Sequence, residues 1–324
     1  MFTHLVTHSG VFHADDLFAT AALRMLAPEA AIVRTRDIDH AFALAEAGGI
    51  VYDVGMVYDH RRRLFDHHQP DRLLRQAQGE DEPVPYSAFG LIWLTYGMHV
   101  VRAVLGQDAD RTVVHKTCEQ VDRRLVVRID MGDNNVIPAT EEGLRHPLAL
   151  GRVLEAFLPP FDAEPAEVEA AFLTALSVAD AYLRARIIGI AGEERAFQIA
   201  RQCVKERTDP RWIELPVGMP YLGAIRVEKA EDVLYAVMPD KGGAEWNVSA
   251  VRREKGEAGC RCPFPAHWAG LRDAELVAAT GVEDAVFCHM GRFLAIARSR
   301  EGAMALVAAA LAHADAAKTA DATA

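Results

Sequence analysis

Val51-Tyr52-Asp53-Val54-Gly55 is the stretch that decides the fold of this chain, together with Phe65-Asp66-His67-His68-Gln69 shortly after it. Residues 50 to 52 form a short apolar run, which predicts a buried strand with Asp53 at its carboxyl end. Ligands of open α/β sheets bind beyond that end of the strands. Carboxylates and imidazoles in one place are typical ligands of divalent metals. We therefore expect a metal site built from Asp53, Asp66 and His67, with His68 beside them.

A basic segment between the two stretches suggests what the metal acts on. Arg61, Arg62 and Arg63 bring three guanidinium groups close to the acids in sequence. Guanidinium groups bind phosphate oxygens through paired hydrogen bonds. Metal ligands beside such arginines suggest metal-assisted hydrolysis of a phosphate ester.

The chain upstream of Asp53 alternates between strand and helix patterns. We predict strands at residues 4–8, 30–34 and 50–53, and a helix at 39–47 that ends before two glycines. Another helix follows Asp15 and Asp16, where apolar side chains recur at i, i+3, i+4 and i+7. Alternating strands and helices predict a parallel sheet with crossover helices, and therefore an α/β fold.

The loop before the first helix holds His8, His13, Asp15 and Asp16. A helix-capping aspartate accounts for one of the acids, because a cap needs a side-chain oxygen. Capping does not account for two histidines. Imidazoles beside carboxylates suit Mn, Fe, Co or Zn, so metal ligation is the alternative interpretation.

A further pair of acids occurs in Arg128-Ile129-Asp130-Met131-Gly132-Asp133-Asn134-Asn135, after a predicted amphipathic helix at residues 110–127. Gly-Asp-Asn-Asn is good turn chemistry, so a simple turn explains this segment in isolation. Beside the acids and histidines upstream, we favour Asp130 as a further metal ligand and leave the role of Asp133 open.

Composition limits the class of protein. The chain has 324 residues, 51% of them hydrophobic, which is enough for about two domains. A net charge of −11 argues against a surface for extended duplex nucleic acid, but allows a small anion in a local basic pocket. The sequence shows neither a signal peptide nor a run long enough to span a bilayer, so we expect no membrane partner and a cytoplasmic location.

The five cysteines are scattered and odd in number, which argues against a secreted disulfide framework. Cys260, Cys262 and His267 invite a zinc interpretation, but they supply only three ligands in an unusual spacing. Free thiols in a loop are the favoured interpretation.

The predicted organisation is a catalytic domain at residues 1–207, a smaller mixed α/β domain at 208–317, and a disordered polar tail at 318–324. Residues 70–85 are rich in proline, glycine and charge, which predicts an exposed loop over the site. In the second domain, short apolar runs predict strands at 221–227, 233–238, 246–251, 285–289 and 293–297, with helices at 273–279 and 300–312.

Blocks along almost the whole chain resemble the melanocyte-proliferating-gene (MYG) family of the DHH phosphoesterase superfamily. The blocks are Thr7-His8-Ser9-Gly10 through Phe12-His13-Ala14-Asp15, Val33-Arg34-Thr35-Arg36-Asp37, Asp53-Val54-Gly55, Asp66-His67-His68-Gln69, Trp268-Ala269-Gly270-Leu271-Arg272-Asp273 and Arg298-Ser299-Arg300-Glu301-Gly302-Ala303. A lone Asp-His-His is weak evidence, whereas this many blocks in one order is specific. The resemblance implies a DHH-type parallel sheet flanked by helices, followed by a smaller, DHH-associated-like mixed α/β domain.

The resemblance also implies an activity. Active relatives bind Mn²⁺ or Mg²⁺, and a eukaryotic relative is a 3′–5′ RNA exonuclease. We therefore expect a metal-dependent phosphodiesterase that acts on short RNA or another small phosphate ester. It would use two divalent cations, Mn²⁺ in preference to Mg²⁺. A homodimer is compatible with this resemblance.

Site residues follow from the same resemblance, position by position. The implied metal ligands are His8, His13, Asp15, Asp53, His67 and Asp130, with Asp53 as the bridge between two ions. The implied catalytic pair is Asp66, which orients His67, and His68, which holds the phosphate together with Arg61 or Arg62.

Two departures from the wider superfamily stand out. His13 takes the place of the first acid in the usual Asp-x-Asp, as in the MYG family. Ala295-Ile296-Ala297 stands where DHH-associated domains commonly carry Gly-Gly-His. Either His289 or Arg298 contacts the phosphate instead, or the grip on an RNA strand is weakened and short substrates are preferred. Two alternatives stay open: a small-molecule phosphatase or pyrophosphatase, and a metal-binding protein with a degenerate site.

Overall fold

The computed structural model describes residues 2–75, 83–136, 149–253 and 257–323. The chain divides into two compact units, residues 1–194 and 195–324, and the long helix α7 (Pro165–Glu206) passes from one into the other. The boundary predicted at 207–208 lies just beyond the end of this helix. The division falls earlier because Ala200 and Val204, near the end of α7, already pack in a core of the second unit.

The first unit is built on a five-stranded sheet. Its strands are β1 (His4–Thr7), β2 (Ala31–Arg34), β3 (Ile50–Tyr52), β4 (Tyr58–Asp59) and β5 (Leu64–Phe65), in the order β2-β1-β3-β5-β4. All run parallel except β4, which is antiparallel to β5 at one edge. Crossover helices α1 (Ala14–Leu26) and α2 (Ile38–Glu46) follow β1 and β2. The predicted parallel α/β fold is confirmed.

Apolar side chains of the strands alternate between the two faces of this sheet, as the period of two in a strand requires. Leu5 and Ile50, which are register partners, belong to the large core that includes α1, α3 (Ala88–Leu105) and α7. Val6 and Val51 form the next pair and belong to a smaller core with α2. Both faces of the sheet are therefore covered, and the ends of the strands are the part of the sheet that remains accessible.

Helix α4 (Arg111–Val121), a π-helical turn at Asp122–Val126 and α5 (Val127–Asp133) form one continuous helical run. The prediction that the helix ends at residue 127 is wrong. In an uninterrupted α-helix, Asp122 and Asp130 would be about 80° apart around the helix axis. A π turn accommodates one extra residue without the rotation that this residue would add to an α-helix, which reduces the angle to about 20°. Both side chains consequently bind Arg75, at 2.9 Å and 2.8 Å.

The segment predicted as an exposed loop contains a short antiparallel ribbon of β6 (Leu74–Arg75) and β7 (Val84–Pro85). Its charged centre, residues 76–82, lies outside the described residues. Helix α6 (Leu150–Glu155) follows later in the unit.

Within the described ranges, α3 is the one helix long and apolar enough by length and composition to cross a membrane. Half of its residues are buried inside the protein, and it packs against α1. This is the behaviour of a core helix.

The described part of the second unit combines a five-stranded mixed sheet with the end of α7 and further helices. Its strands are β8 (Trp212–Glu214), β9 (Tyr235–Pro239), β10 (Trp246–Ala250), β11 (Ala285–Cys288) and β12 (Leu294–Ala297), in the order β11-β12-β10-β9-β8. Strand β8 is parallel to β9, and the other pairs are antiparallel. The helices are α8 (Leu222–Val227), α9 (Asp273–Thr280) and α10 (Arg300–Thr323). The predicted mixed α/β character is confirmed.

Two local predictions for this unit are wrong. Residues 221–227 form helix α8 rather than a strand, because a short apolar run does not distinguish a strand from one buried helical turn. Helix α10 continues to Thr323, past the predicted helix end at 312 and through most of the tail predicted to be disordered. The extension is rich in alanine, which is the strongest helix former.

Candidate metal centre

Buried acids and histidines meet at the carboxyl ends of three neighbouring strands. His8 follows β1, Asp53 follows β3, and Asp66 and His67 follow β5. The first turn of α1 adds Asp15 and Asp16, which are also buried. Since β1, β3 and β5 are adjacent and parallel, their ends lie along one edge of the sheet, where ligands bind in this fold class.

Asp53 lies at the centre of this cluster. His8 Nε2 is 3.2 Å from Asp53 Oδ2, and His67 Nε2 is 3.3 Å from Asp53 Oδ1. One carboxylate thus has a histidine at each oxygen, which is the arrangement expected of a group that bridges two cations. The backbone of Asp53 has a φ of 56°, a left-handed conformation that Asp and Asn tolerate better than most residues.

Two groups of candidate ligands flank Asp53. On one side, His8 Nε2 is 3.4 Å from Asp16 Oδ2. On the other side, His67 Nε2 is 3.8 Å from Asp15 Oδ2 and 3.4 Å from Asp133 Oδ2. Within each group the candidate ligand atoms lie within 4.8 Å of one another.

The buried oxygens of this cluster fit divalent cations. Both carboxylate oxygens of Asp15, Oδ2 of Asp16 and Oδ1 of Asp53 receive no hydrogen bond from an N–H or hydroxyl group of the described residues. Buried carboxylates without such partners are costly to keep ionised, and a bound cation supplies the missing positive charge. Carboxylate oxygens mixed with imidazole nitrogens suit Mn²⁺, and the oxygens alone suit Mg²⁺.

Without a cation, burial and neighbouring carboxylates oppose the ionisation of several acids of the cluster. Burial, together with the carboxylates of Asp15 and Asp53, raises the pKa of Asp133 to about 10. Burial and the neighbouring Asp15 raise the pKa of Asp16 well above its usual value. Burial also disfavours the charge on Asp53, but the imidazoles of His67 and His8 that face it hold its pKa well below the usual range. Metal binding at neutral pH must therefore displace a proton from Asp133.

We expect the metal-free protein to lose stability as the pH rises from 6 to 9. Burial opposes a charge on His8, but Asp53 and Asp16 outweigh it and raise the His8 pKa to about 9. Unfolded His and Asp titrate near about 6.5 and about 3.9. The folded state therefore holds more protons than the unfolded state across this window, and its stability falls with pH.

Melting temperatures in a chelator and in Mn²⁺, measured from pH 6 to 9, check this expectation. Mn²⁺ should release protons on binding, seen by calorimetry in two buffers of different ionisation enthalpy, and should raise the melting temperature most at high pH. A flat metal-free profile, or binding without proton release, would contradict the assignment.

Asp66 organises the turn that carries both histidines. Its Oδ1 accepts the backbone N–H of His67 at 2.7 Å and lies 2.7 Å from Nδ1 of His68, while Oδ2 accepts the N–H of Met56. Asp66 thus fixes the backbone of His67 and the ring of His68. The His68 side chain is 52% exposed and faces the cavity described next, and its hydrogen bond with Asp66 raises its pKa. A histidine held in this way suits contact with an anion.

A cavity of about 1050 Å³ opens at the cluster. Its wall includes His68, the cluster residues and four arginines, namely Arg36, Arg72, Arg128 and Arg152. Sequence reasoning assigned no role to these arginines. For Arg36 a signal existed, because it lies two residues after β2, whose end belongs to the same edge of the sheet.

Asp130 is outside the cluster, and Asp133 lies where we predicted Asp130. Asp130 Oδ2 is 2.8 Å from Arg75, and Oδ1 accepts the N–H and the hydroxyl of Ser87 at 3.0 Å and 2.7 Å. Burial raises the pKa of Asp130 to about 7, against the opposing effects of Arg75 and Ser87. A Cβ atom at Gly90 would come within 2.4 Å of Asp130 Oδ1, so this position of α3 requires glycine.

His13 stands at the rim of the cluster. It is the N-cap residue of α1, a place that we predicted for Asp15 or Asp16, and its backbone N–H donates to Asp16 Oδ1 at 2.9 Å. Its exposed ring lies 6.1 Å from that of His8 and lines the cavity.

Of the predicted phosphate-binding side chains in the first unit, His68 lines this cavity, whereas Arg61 and Arg62 do not. Arg61 and Arg62 belong to an exposed turn in which their N–H groups donate to Asp59. His289 and Arg298 belong to the second unit. His289 Nδ1 accepts the N–H of Gly291 at 2.9 Å, and Arg298 pairs with Asp273 at 3.2 Å.

The cysteines form no metal site in the part of the chain that the structure describes. Groups of three or more candidate ligands there all belong to the cluster around Asp53, and none includes Cys260 or Cys262. Both are free thiols, as predicted.

Comparisons with known proteins cover nearly the whole chain. Residues 4–311 match the family model MYG1_exonuc, described as an uncharacterised protein family (UPF0160). The MYG1 exonuclease of Homo sapiens is 29% identical over 329 residues, which cover 95% of this chain and 85% of the relative. The MYG1 protein of Caenorhabditis elegans is 28% identical over 331 residues, 94% of each chain.

Two solved structures were also matched. Exonuclease RecJ bound to manganese is 15% identical, with 96% of this chain and 90% of that chain covered and a TM-score of 0.27. A pGpG-specific phosphodiesterase from Vibrio cholerae is 13% identical, with 98% and 99% covered and a TM-score of 0.29. At these scores neither match adds to what the strands and the site already establish.

Proposed function

The chain belongs to the MYG1 exonuclease family, and we propose that its metal centre hydrolyses phosphodiester bonds in short single-stranded RNA. Membership of a family with curated relatives named exonucleases confirms the expected class, a hydrolase of phosphodiester bonds. RNA as the substrate, and its short length, are our proposal. The observation that carries it is Asp53, which has His8 at one oxygen and His67 at the other beside a cavity lined with arginines.

Two groups of side chains would hold the cations. We assign His8, Asp16 and Asp53 to one ion, and Asp15, Asp53, His67 and Asp133 to the other, with His13 close to the first group. Bound divalent cations neutralise phosphate oxygens and lower the pKa of water. We also propose the number and the identity of the ions, namely two divalent cations, with Mn²⁺ preferred over Mg²⁺.

The protein groups around the cations perform the remaining tasks. Asp66 holds the ring of His68 through Nδ1 and raises its pKa, so that the protonated imidazole can donate a hydrogen bond from Nε2 to a phosphate oxygen. Guanidinium groups of the cavity wall attract the anionic substrate and neutralise its charge. Because Asp15, Asp16 and Asp53 are buried, bulk water competes little for their carboxylates.

We expect Mn²⁺-dependent release of mononucleotides from di- to decaribonucleotides, with slower or no hydrolysis of pyrophosphate. Charge neutralisation by the arginine-lined wall favours a substrate that carries several phosphates. Chromatography of digests with RNA, DNA, pyrophosphate and cyclic dinucleotides measures this. Turnover of pyrophosphate alone would favour a small-molecule phosphatase, and bound metal without any turnover would favour a degenerate site.

A further inference from the structure

Two arginines of the cavity wall carry a charge that no acid among the described residues compensates. Arg36 Nε donates to the backbone oxygen of Ser9 at 3.0 Å, and a guanidinium nitrogen of Arg72 donates to Asn134 Oδ1 at 3.0 Å. Both acceptors are neutral. Throughout the described ranges, neither arginine pairs with a carboxylate, and both are exposed. A guanidinium in this situation is available to an anion that the substrate brings.

Each of these arginines lies beside a different half of the metal centre, Arg36 beside His8 and Arg72 beside Asp133. The Ser9 oxygen that binds Arg36 also lies 3.3 Å from Nδ1 of His8. Asn134, which binds Arg72, directly follows Asp133, and Asp133 faces His67 at 3.4 Å. A phosphodiester placed at Asp53 therefore has Arg36 on its His8 side and Arg72 on its Asp133 side.

The other two arginines of the wall are engaged differently. Arg152 forms an ion pair with Glu155 at 2.6 Å, so its charge is already compensated. Arg128 contacts the sulfur of Met131 at 3.6 Å within its own helix. The cavity of about 1050 Å³ is at the upper end of the range for small-ligand pockets, which is room for more than one nucleotide.

We propose that Arg36 and Arg72 each bind a phosphate next to the scissile one, so that the enzyme prefers a bond with a phosphate on both sides. This inference rests on the proposed function and specifies its substrate class. The smallest substrate that satisfies both arginines is a dinucleotide phosphorylated at its 5′ and 3′ ends. A dinucleotide with hydroxyl groups at both ends forfeits both contacts.

The test compares kcat/KM for four forms of one dinucleotide: unphosphorylated, 5′-phosphorylated, 3′-phosphorylated and doubly phosphorylated. In the unchanged protein, each terminal phosphate should raise kcat/KM about tenfold or more, as expected for a charge-assisted hydrogen bond. Arg36→Gln should remove the advantage of one terminal phosphate, and Arg72→Gln that of the other. The ratio of kcat/KM with and without that phosphate should then fall to about one.

Arg123→Gln is the matched control. Arg123 is exposed and donates to Gln120 Oε1 at 2.7 Å, so it makes the same kind of bond as Arg72 but does not line the cavity. This variant should keep both preferences. A terminal phosphate that brings no advantage to the unchanged protein, or an advantage that survives both cavity substitutions, overturns the proposal.

Equilibrium binding separates this inference from the proposed function. Calorimetry on the Mn²⁺-loaded protein should show adenosine 3′,5′-bisphosphate binding about tenfold more tightly than adenosine 5′-monophosphate. Each cavity substitution should reduce that difference. One outcome is that no oligonucleotide is cleaved, while the bisphosphate still binds more tightly than the monophosphate and the variants lose this difference in affinity. In that case the proposed function fails and the two phosphate sites stand. Cleavage without any effect of terminal phosphates, together with equal binding of the two nucleotides, rejects the phosphate sites alone.

Discussion

Replacement of Asp53 by asparagine should abolish turnover, by about a thousandfold or more, and leave the protein folded. Asp53 is the group that faces both His8 and His67, so its loss weakens the hold on both cations. A Lewis-acid cation contributes several kcal/mol to transition-state stabilisation, and about 4 kcal/mol corresponds to about a thousandfold in rate. Measured metal content should fall in parallel with activity.

Asparagine is the informative substitution at this position. Asn tolerates the φ of 56° that Asp53 adopts, whereas alanine adds backbone strain. The metal-free variant should melt within a few degrees of the metal-free parent. Loss of the favourable charge beside His8 and His67 is offset in part because asparagine removes the cost of burying the Asp53 charge. Two cations bound with undiminished affinity would show that Asp53 is not the bridging group.

Asp130→Asn should have the opposite profile: a large loss of stability with an unchanged metal stoichiometry. At pH 8 Asp130 is ionised, since its pKa is about 7, and it is fully buried between Arg75 and Ser87. Burial penalises the Asp130 charge itself, as it does that of Asp133. Asparagine at position 130, however, leaves the buried Arg75 with Asp122 as its remaining acid among the described residues. Removing one partner of a buried ion pair in this way costs about 3 kcal/mol or more. For a unit of this size that corresponds to about 6–12 °C in melting temperature.

Asp133→Asn is the matched comparison, three residues further along α5. Because its pKa is raised by burial and by neighbouring acids, the neutral amide should preserve or increase the stability of the metal-free protein. The same change should remove one bound cation and most of the activity. Thermal melts in a chelator and calorimetric Mn²⁺ titrations of both variants decide the matter. If Asp130→Asn loses a cation and Asp133→Asn does not, the original assignment from sequence was correct.

The contrast between these two acids shows where sequence reasoning succeeded and where it stopped. The positions of His8 and Asp53 were predictable, because each belongs to a strand pattern whose apolar run is visible and parallel strands end at one edge. His67 was predicted from the Asp66-His67-His68 motif, since the short strand β5 before it was not predicted. Asp130 and Asp133 required the pitch of the helix that carries them. Gly132 and the two asparagines favour a turn locally, yet tertiary contacts keep the helix intact through Asp133. A π turn leaves no signature in residue types that would have revealed the rotation.

The phosphate-binding arginines illustrate a second limit. Arg61 and Arg62 are close to the metal ligands along the chain, but the antiparallel turn between β4 and β5 directs them into solvent. Arg36 and Arg72 are separated by 36 positions, yet both line the cavity. Residues that are close in sequence are reliably close in space only within one helix or strand. Arg36 lies in the loop between β2 and α2, and Arg72 lies between β5 and β6, so the sequence gives no direct sign that they meet.

The π-helical turn at Asp122–Val126 gives this helix one residue more than a regular α-helix needs to bring Asp122 and Asp130 onto one face. Deleting one exposed residue of the turn, such as Arg123 or Arg124, would restore a regular helix in which seven steps of about 100° leave the two acids about 20° apart. Asp130 would then stay beside Arg75, and Asp133 would stay beside His67. Relatives that keep this centre should therefore accept a one-residue gap at this turn, while other insertions and deletions collect in the connections outside this run.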